Sequence, residues 1–200
     1  MLTPQGARTR ERIVEAAAGL IRDQGVAATS MDDVRRAAKV SSSQIYHYFR
    51  DKRALVHAVV GYRAEQVVDG WAPMLARLDS VDGFRAWRNL VVRQQRQRDS
   101  AGGSPLGAIG AELADTDPAN ASAVTAGLGL LEDAFRAGLR AMREQGELPP
   151  EADPDTLAAA ALAALEGGLL LTRLRRDTAP LEAALDTFVE HLETLAERAI

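Results

Sequence analysis

The sequence predicts an all-α protein of about nine helices: an N-terminal three-helix unit built on a helix-turn-helix, followed by a C-terminal helical bundle. Three observations predict it. Apolar residues recur at three- and four-residue steps almost throughout, and no period-2 run is long enough for a strand. Ser, Thr, Asp and Pro stand where helices should start, and Gly where they should stop. Charge is divided along the chain. Residues 1–53 carry ten Lys or Arg against six acids, whereas the remainder carries fourteen against twenty-two, which makes the net charge −4. A basic head on an acidic body is the asymmetry expected when one end meets phosphate and the other avoids it. The expected domains are residues 1–53, with a connecting helix running on to about 66, and residues 54–200.

What is missing narrows the function. There is no cysteine, so disulfides and thiolate metal sites are excluded. The start, MLTPQGARTR, lacks the apolar run of a signal peptide, and the longest apolar stretch, residues 157–165, is broken by Glu166 before it could cross a bilayer. A cytoplasmic protein is expected. His47, His57 and His191 stand in no metal-ligand spacing, and neither a Gly-rich phosphate loop nor a nucleophile elbow occurs. No catalytic residue, metal or cofactor is therefore assigned, and an enzyme is not expected.

In chain order, the first helix should cover residues 8–24, burying Ile13, Ala17, Leu20 and Ile21, with Gly25 closing it. Arg8, Arg10 and Arg12 near its start suit either a nucleic-acid backbone or a solvated helix end. Residues 29–52, TSMDDVRRAAKVSSSQIYHYFRDK, follow. Ser30 and Asp33 form a capping box for a helix bearing Met31, Val34 and Ala38 on one face. Lys39-Val40-Ser41 interrupts it, and Ser41 caps a second short helix on which Ile45 and Phe49 turn inward. Ser42, Ser43, Gln44, Tyr46, His47 and Tyr48 are left outward or sideways. Hydroxyl and imidazole groups suit phosphate oxygens, and Ser and Gln suit base edges. The plainer reading is an exposed helical hairpin with amphipathic aromatics.

A fourth helix starting at Asp51-Lys52 carries Leu55, Val56, Val59, Val60 and Val67 inward, and Pro73 should kink or end it. A fifth is capped at Asp79-Ser80 or Asp82 and ends in the basic run RQQRQRDS, either a second nucleic-acid patch or a solvated helix end. Ser104-Pro105 opens a short helix and Asp117-Pro118 a long one closed by Gly146. Residues 155–176 and 180–198 form the last two. In the final one Leu181, Leu185, Phe188, Leu192 and Leu195 step 4, 3, 4, 3, a heptad seam. Ala161, Ala164 and Gly168 on the helix before it admit close approach. These eight residues are assigned to a homodimer interface, the alternative being an intrachain core.

Residues 29–52 resemble the helix-turn-helix of TetR-type repressors, through Asp33-Val34, Ala38, Val40-Ser41, Ile45-Tyr46, Tyr48-Phe49 and Lys52. Lys39 and Ser43 depart from the glycines usual there. The runs GGSPLGAIGAELADTDP and ADPDTLAAAALAALEGGLLLTRLRRD resemble the C-terminal domain of the LmrA/YxaF-like branch, with Ser104 where that branch usually has Cys. The resemblance implies a dimeric, ligand-responsive repressor that binds a near-palindromic DNA operator and leaves it on binding a small lipophilic or aromatic effector. It implies phosphate contacts from Thr29, Ser30, Tyr46, His47, Tyr48 and Lys52, with Lys39 and Ser41 beside them, and base contacts from Ser42, Ser43 and Gln44. The effector would lie among Trp71, Phe84, Trp87, Leu106, Ile109, Leu128, Leu131, Phe135, Leu165, Glu166 and Leu169, each of which could equally be core. A helical interaction module without operator binding is the alternative, and the Lys39 turn favours it.

Overall fold

The computed structural model describes residues 3–98 and 103–199. Among them run nine α-helices and no strand: α1 Pro4–Ala28, α2 Met31–Ala37, α3 Ser42–Tyr48, α4 Lys52–Leu75, α5 Val81–Gln97, α6 Pro105–Leu113, α7 Pro118–Glu144, α8 Pro154–Arg175 and α9 Ala179–Glu197. The all-helical class and the helix order are as the apolar spacing predicts. Pro73 lies inside the last turn of α4 and does not stop it. Its missing N–H frees only the carbonyl of exposed Asp69, which water can reach.

The chain forms two compact units, and they do not divide at residue 53. The first is Met1–Gln66 together with Pro105–Gly127; the second is Val67–Ser104 together with Leu128–Ile200. The physical reason is that α6 and the start of α7 fasten onto the head. Glu112 Oε2 on α6 accepts the N–H groups of Val26 (2.8 Å) and Ala27 (3.1 Å). Arg53 pairs with Asp117 at 2.8 Å. Asn120 Nδ2 donates to the Arg53 carbonyl at 3.2 Å, and its Oδ1 lies 3.2 Å from His57 Nδ1.

In the first unit, Ile13, Val14, Ala17 and Ile21 of α1 meet Val34, Val40, Ile45 and Phe49 of the helix-turn-helix and Leu55, Val56, Val59 and Val60 of α4, all buried. Each large apolar side chain so covered stabilises the fold by roughly 1.5–3 kcal/mol against leaving it in water. Gly25 breaks α1 at φ 86, ψ 169, a region open essentially to glycine alone. The break turns the N–H groups of Val26 and Ala27 toward Glu112.

The second unit has its own core, drawn from α5, α7, α8 and α9 around Phe84, Trp87, Phe135, Leu165 and Leu185. The α9 seam expected to join two chains closes inside one. Leu181, Leu185, Phe188 and Leu192 are buried in this core, with Leu195 packed partly against it. Ala161 and Gly168 of α8 are buried and Ala164 half-buried. The close approach that Gly168 permits is to α9 of the same chain: a Cβ there would lie 2.9 Å from Leu181 Cα. A 4-3-4-3 pattern requires a covering helix, and α8 supplies it. Across α9, Arg88 holds Asp186 through two bonds of 2.6 and 2.7 Å, and Arg96 reaches Glu182 at 2.8 Å.

Candidate functional site

The helix-turn-helix is fixed by local hydrogen bonds that its sequence dictates. Ser30 Oγ accepts from Asp33 N at 3.1 Å while Asp33 Oδ2 accepts from Ser30 N at 3.0 Å. On α3, Ser41 Oγ accepts from Gln44 N at 3.1 Å and Gln44 Oε1 accepts from Ser41 N at 2.8 Å. Both are reciprocal capping boxes. Between them, Lys39 adopts φ 53. Its N–H donates to the Arg36 carbonyl and that of Val40 to the Arg35 carbonyl, each at 3.2 Å, the two bonds of a Schellman turn. Arg12 Nε of α1 donates to the Ala38 carbonyl at 3.0 Å, so this arginine fastens the turn. Holding a side chain in the left-handed region costs about 1 kcal/mol or more, and these surrounding bonds hold it there.

The structure sorts the expected contact residues by what they have free. Thr29 leaves the set of phosphate ligands: it is buried, and its hydroxyl donates to the Gly25 carbonyl at 2.8 Å. Ser30 and Ser41 use their hydroxyls in caps, Ser43 Oγ lies 2.9 Å from Ser41 Oγ, and Lys52 Nζ donates to the Ala27 carbonyl at 3.1 Å. Gln44 keeps its amide NH₂. Ser42, Tyr46 and His47 are exposed, and within the described residues no side-chain hydrogen bond engages them. His47 meets the half-buried Tyr48 edge to face, with ring centroids 4.9 Å apart. Lys39 is exposed at the turn, and Arg10 stacks over Phe49 at 5.3 Å. Arg35 and Arg36 are neutralised by Asp32 and Asp33. The outward face of α3 is thus a small polar and aromatic surface with the exposed Lys39 beside it.

The eleven expected effector residues fall in both units. Leu106 and Ile109 are buried in the first, Leu106 lying against Gly127. The other nine belong to the second. There Phe84, Trp87 and Phe135 are fully buried and packed on one another, with Trp87 and Phe135 centroids 4.9 Å apart. Leu131, Leu165 and Leu169 are buried beside them and Leu128 is half-buried. Trp71 Nε1 donates to Gln94 at 3.1 Å. Glu166 accepts from Ser104 Oγ at 3.0 Å. Burial raises its carboxyl above the ordinary pKa, with the Ser104 bond pulling the other way. Sequence reasoning named Trp87 but missed Gln95 and Thr172, which carry two further buried polar atoms. Among the described residues, Trp87 Nε1, Gln95 Oε1 and Thr172 Oγ1 are buried without a hydrogen-bond partner. Such atoms each cost about 1–3 kcal/mol. A Gln on the apolar face of α5, two turns beyond Trp87, was the one signal in the sequence.

Residues 13–59 match the family described as bacterial regulatory proteins, tetR family, and residues 75–188 match the tetracyclin repressor-like C-terminal domain. The chain belongs to the TetR family. An uncharacterized HTH-type transcriptional regulator of Mycobacterium tuberculosis, Rv0196, is 31% identical over 179 residues, covering 86% of this chain and 88% of that one. The transcriptional regulator AcuR of Cereibacter sphaeroides is 27% identical over 202 residues, 96% of this chain and 88% of AcuR. Among solved structures, a TetR transcriptional regulator from Chloroflexus aurantiacus superposes with a TM-score of 0.79 at 28% identity, over 96% of this chain and 97% of that one. Reduced E. coli NemR gives 0.82 at 23% identity over 94% and 96%, a likeness of fold. This TetR-family chain is a DNA-binding transcriptional regulator, and the relatives it matches are regulators rather than enzymes.

Proposed function

We propose that this TetR-family regulator acts as a cytoplasmic homodimer whose two α3 helices enter successive major grooves of a near-palindromic operator, about 34–36 Å apart, and that a small effector releases it. The observation that carries the reading is the outward face of α3, where, among the described residues, Ser42, Tyr46, His47 and the Gln44 NH₂ group stay uncommitted beside Lys39. Ser42 and Gln44 are the base readers, and Tyr46, His47, Tyr48 and Lys39 the phosphate contacts. Ser30, Ser41, Ser43 and Lys52 act by holding the turn and the helix ends. The test is selection of bound duplexes from a random pool with the purified protein, followed by titration of the selected operator. Tyr46→Ala with His47→Ala should weaken operator binding about 10-fold or more while the helical spectrum is kept. Unchanged affinity would sink the assignment.

The dimer face is placed on α8. Leu170, Leu171 and Leu174 are 57%, 40% and 70% exposed, and with exposed Ala163 and Gly167 they form one stripe. The helix is long and apolar enough to cross a membrane by length and composition, but a second copy accounts for its bare side in a DNA-binding regulator.

The effector is read as a small molecule with an apolar or aromatic body and hydrogen-bonding groups that satisfy Trp87 Nε1 and Gln95 Oε1. Its signal passes through residues 105–127, which are covalently continuous with the second unit at both ends and bonded to the head by Glu112, Asp117 and Asn120. Coupling is reciprocal, so operator and effector weaken each other by one factor. The finer resemblance to the LmrA/YxaF-like branch, through residues 102–118 and 152–177, is retained as part of this reading.

A further inference from the structure

Six arginines gather at one end of the second unit. Arg93 and Arg96 lie in the last turns of α5 and Arg98 just beyond; Arg173 and Arg175 lie in the last turn of α8 and Arg176 caps it. Two interactions bring these helix ends to the same level. Arg96 reaches Glu182 in the first turn of α9, and Leu181 beside it packs on Gly168, little more than a turn before Arg173. All six are exposed. Among the described residues only Arg96 is in an ion pair.

The acids at this end are Asp177 and Glu182, with Asp99 next to Arg98 in the sequence, so the arginines outnumber them. The unit as a whole is acidic, with thirteen arginines and eighteen Asp or Glu, so nearly half its cations sit at one end. Cations do suit helix C-termini. That alone does not set the pattern, because α9, though capped by Arg198, carries Glu190, Glu193 and Glu197 toward its own C-terminus. Exposed guanidinium groups crowded without partners repel one another, and the anion they fit best is phosphate, which the planar fork grips through two hydrogen bonds. Arg173 lies against Gly103 of the same unit, where a Cβ would stand 3.0 Å from its Cδ.

We propose that this arginine end is a second, sequence-independent binding surface for duplex phosphates, adding affinity without reading bases. It rests on the duplex-binding reading of α3. The experiment follows fluorescence anisotropy of a labelled operator duplex and a random-sequence duplex across a salt series, with the full-length protein. Arg173→Gln/Arg175→Gln/Arg176→Gln and, separately, Arg93→Gln/Arg98→Gln should lower affinity for both duplexes alike. The slope of log K against log salt should shrink by about 0.9 for each phosphate that is no longer neutralised. Arg140→Gln, beside Asp155 at the opposite end of α8, should leave the slope unchanged. Circular dichroism confirms that each variant is folded. Wild-type slopes in both arginine variants, or an equal drop with Arg140→Gln, overturn the proposal. If His47→Ala abolishes operator preference while the arginine variants keep the wild-type slope, this inference alone fails. If the wild type retains no duplex at low salt, the α3 reading falls with it.

Discussion

Gly25→Ala is the perturbation that most directly tests how residues 105–127 are tied to the head. At φ 86, ψ 169 an alanine is forced into a region essentially reserved for glycine, which costs about 2 kcal/mol. Its Cβ would also stand 2.7 Å from Glu112 Oε1. The carboxylate must then shift from Val26 and Ala27, losing about half of two charge-assisted bonds worth together about 2 kcal/mol at this exposed position. Gly25→Ala should therefore destabilise by about 3 kcal/mol and Glu112→Ala by about 2 kcal/mol, but the pair together by about 4 kcal/mol, because the clash vanishes with the carboxylate. Urea unfolding of the four proteins measures the cycle. Strict additivity would refute the Gly25–Glu112 proximity, and a cost below about 1 kcal/mol for Gly25→Ala would refute the backbone geometry.

Lys39→Gly relieves the left-handed strain and should stabilise the head by about 1 kcal/mol while weakening duplex binding through the lost charge; destabilisation in urea would contradict the Schellman turn. Leu171→Asp with Leu174→Asp on α8 should give monomers in sedimentation without loss of helicity, whereas Phe188→Asp should unfold the second unit; a stable dimer in the first case removes α8 from the interface. For Glu166, whose folded pKa lies above its ordinary 4.5, the folded chain holds the proton more tightly than the unfolded one. The cost of ionising it is then present above the folded pKa, is relieved as pH falls through that value, and is gone below 4.5. The stability gained by Glu166→Gln should accordingly be largest near neutrality and shrink toward pH 4.5; parallel profiles for the two proteins would show that Glu166 is not desolvated.

The parts of the fold legible in the sequence are those that local physics decides. Ser30 with Asp33, and Ser41 with Gln44, cap their helices through atoms three residues apart, so nothing distant in the chain is needed to form them. Gly25 was legible as a helix break, but its purpose was not, because the partner is Glu112, far along the chain. The α9 seam shows the complementary limit. Its spacing states that a helix covers it, and the same spacing serves whether that helix is α8 of the same chain or a copy. Thr29 entered the phosphate set only through the family resemblance, and its burial is a tertiary fact that no local pattern carries. Of the buried polar atoms of Trp87, Gln95 and Thr172, only Gln95 left a trace in the sequence, as a polar residue on an apolar helix face.

The interleaving of residues 105–127 with the head has a bearing on protein engineering. Chimeric regulators are commonly imagined as a cut between a reader and a sensor, with one splice point. Here a graft taken at residue 53 or 66 would strand Glu112, Asp117 and Asn120 on the wrong parent, leaving Arg53 and the end of α1 facing a stranger's surface. Swapping specificity in this protein therefore requires transplanting two separate stretches of chain, or re-creating at the junction the three side chains that bind them.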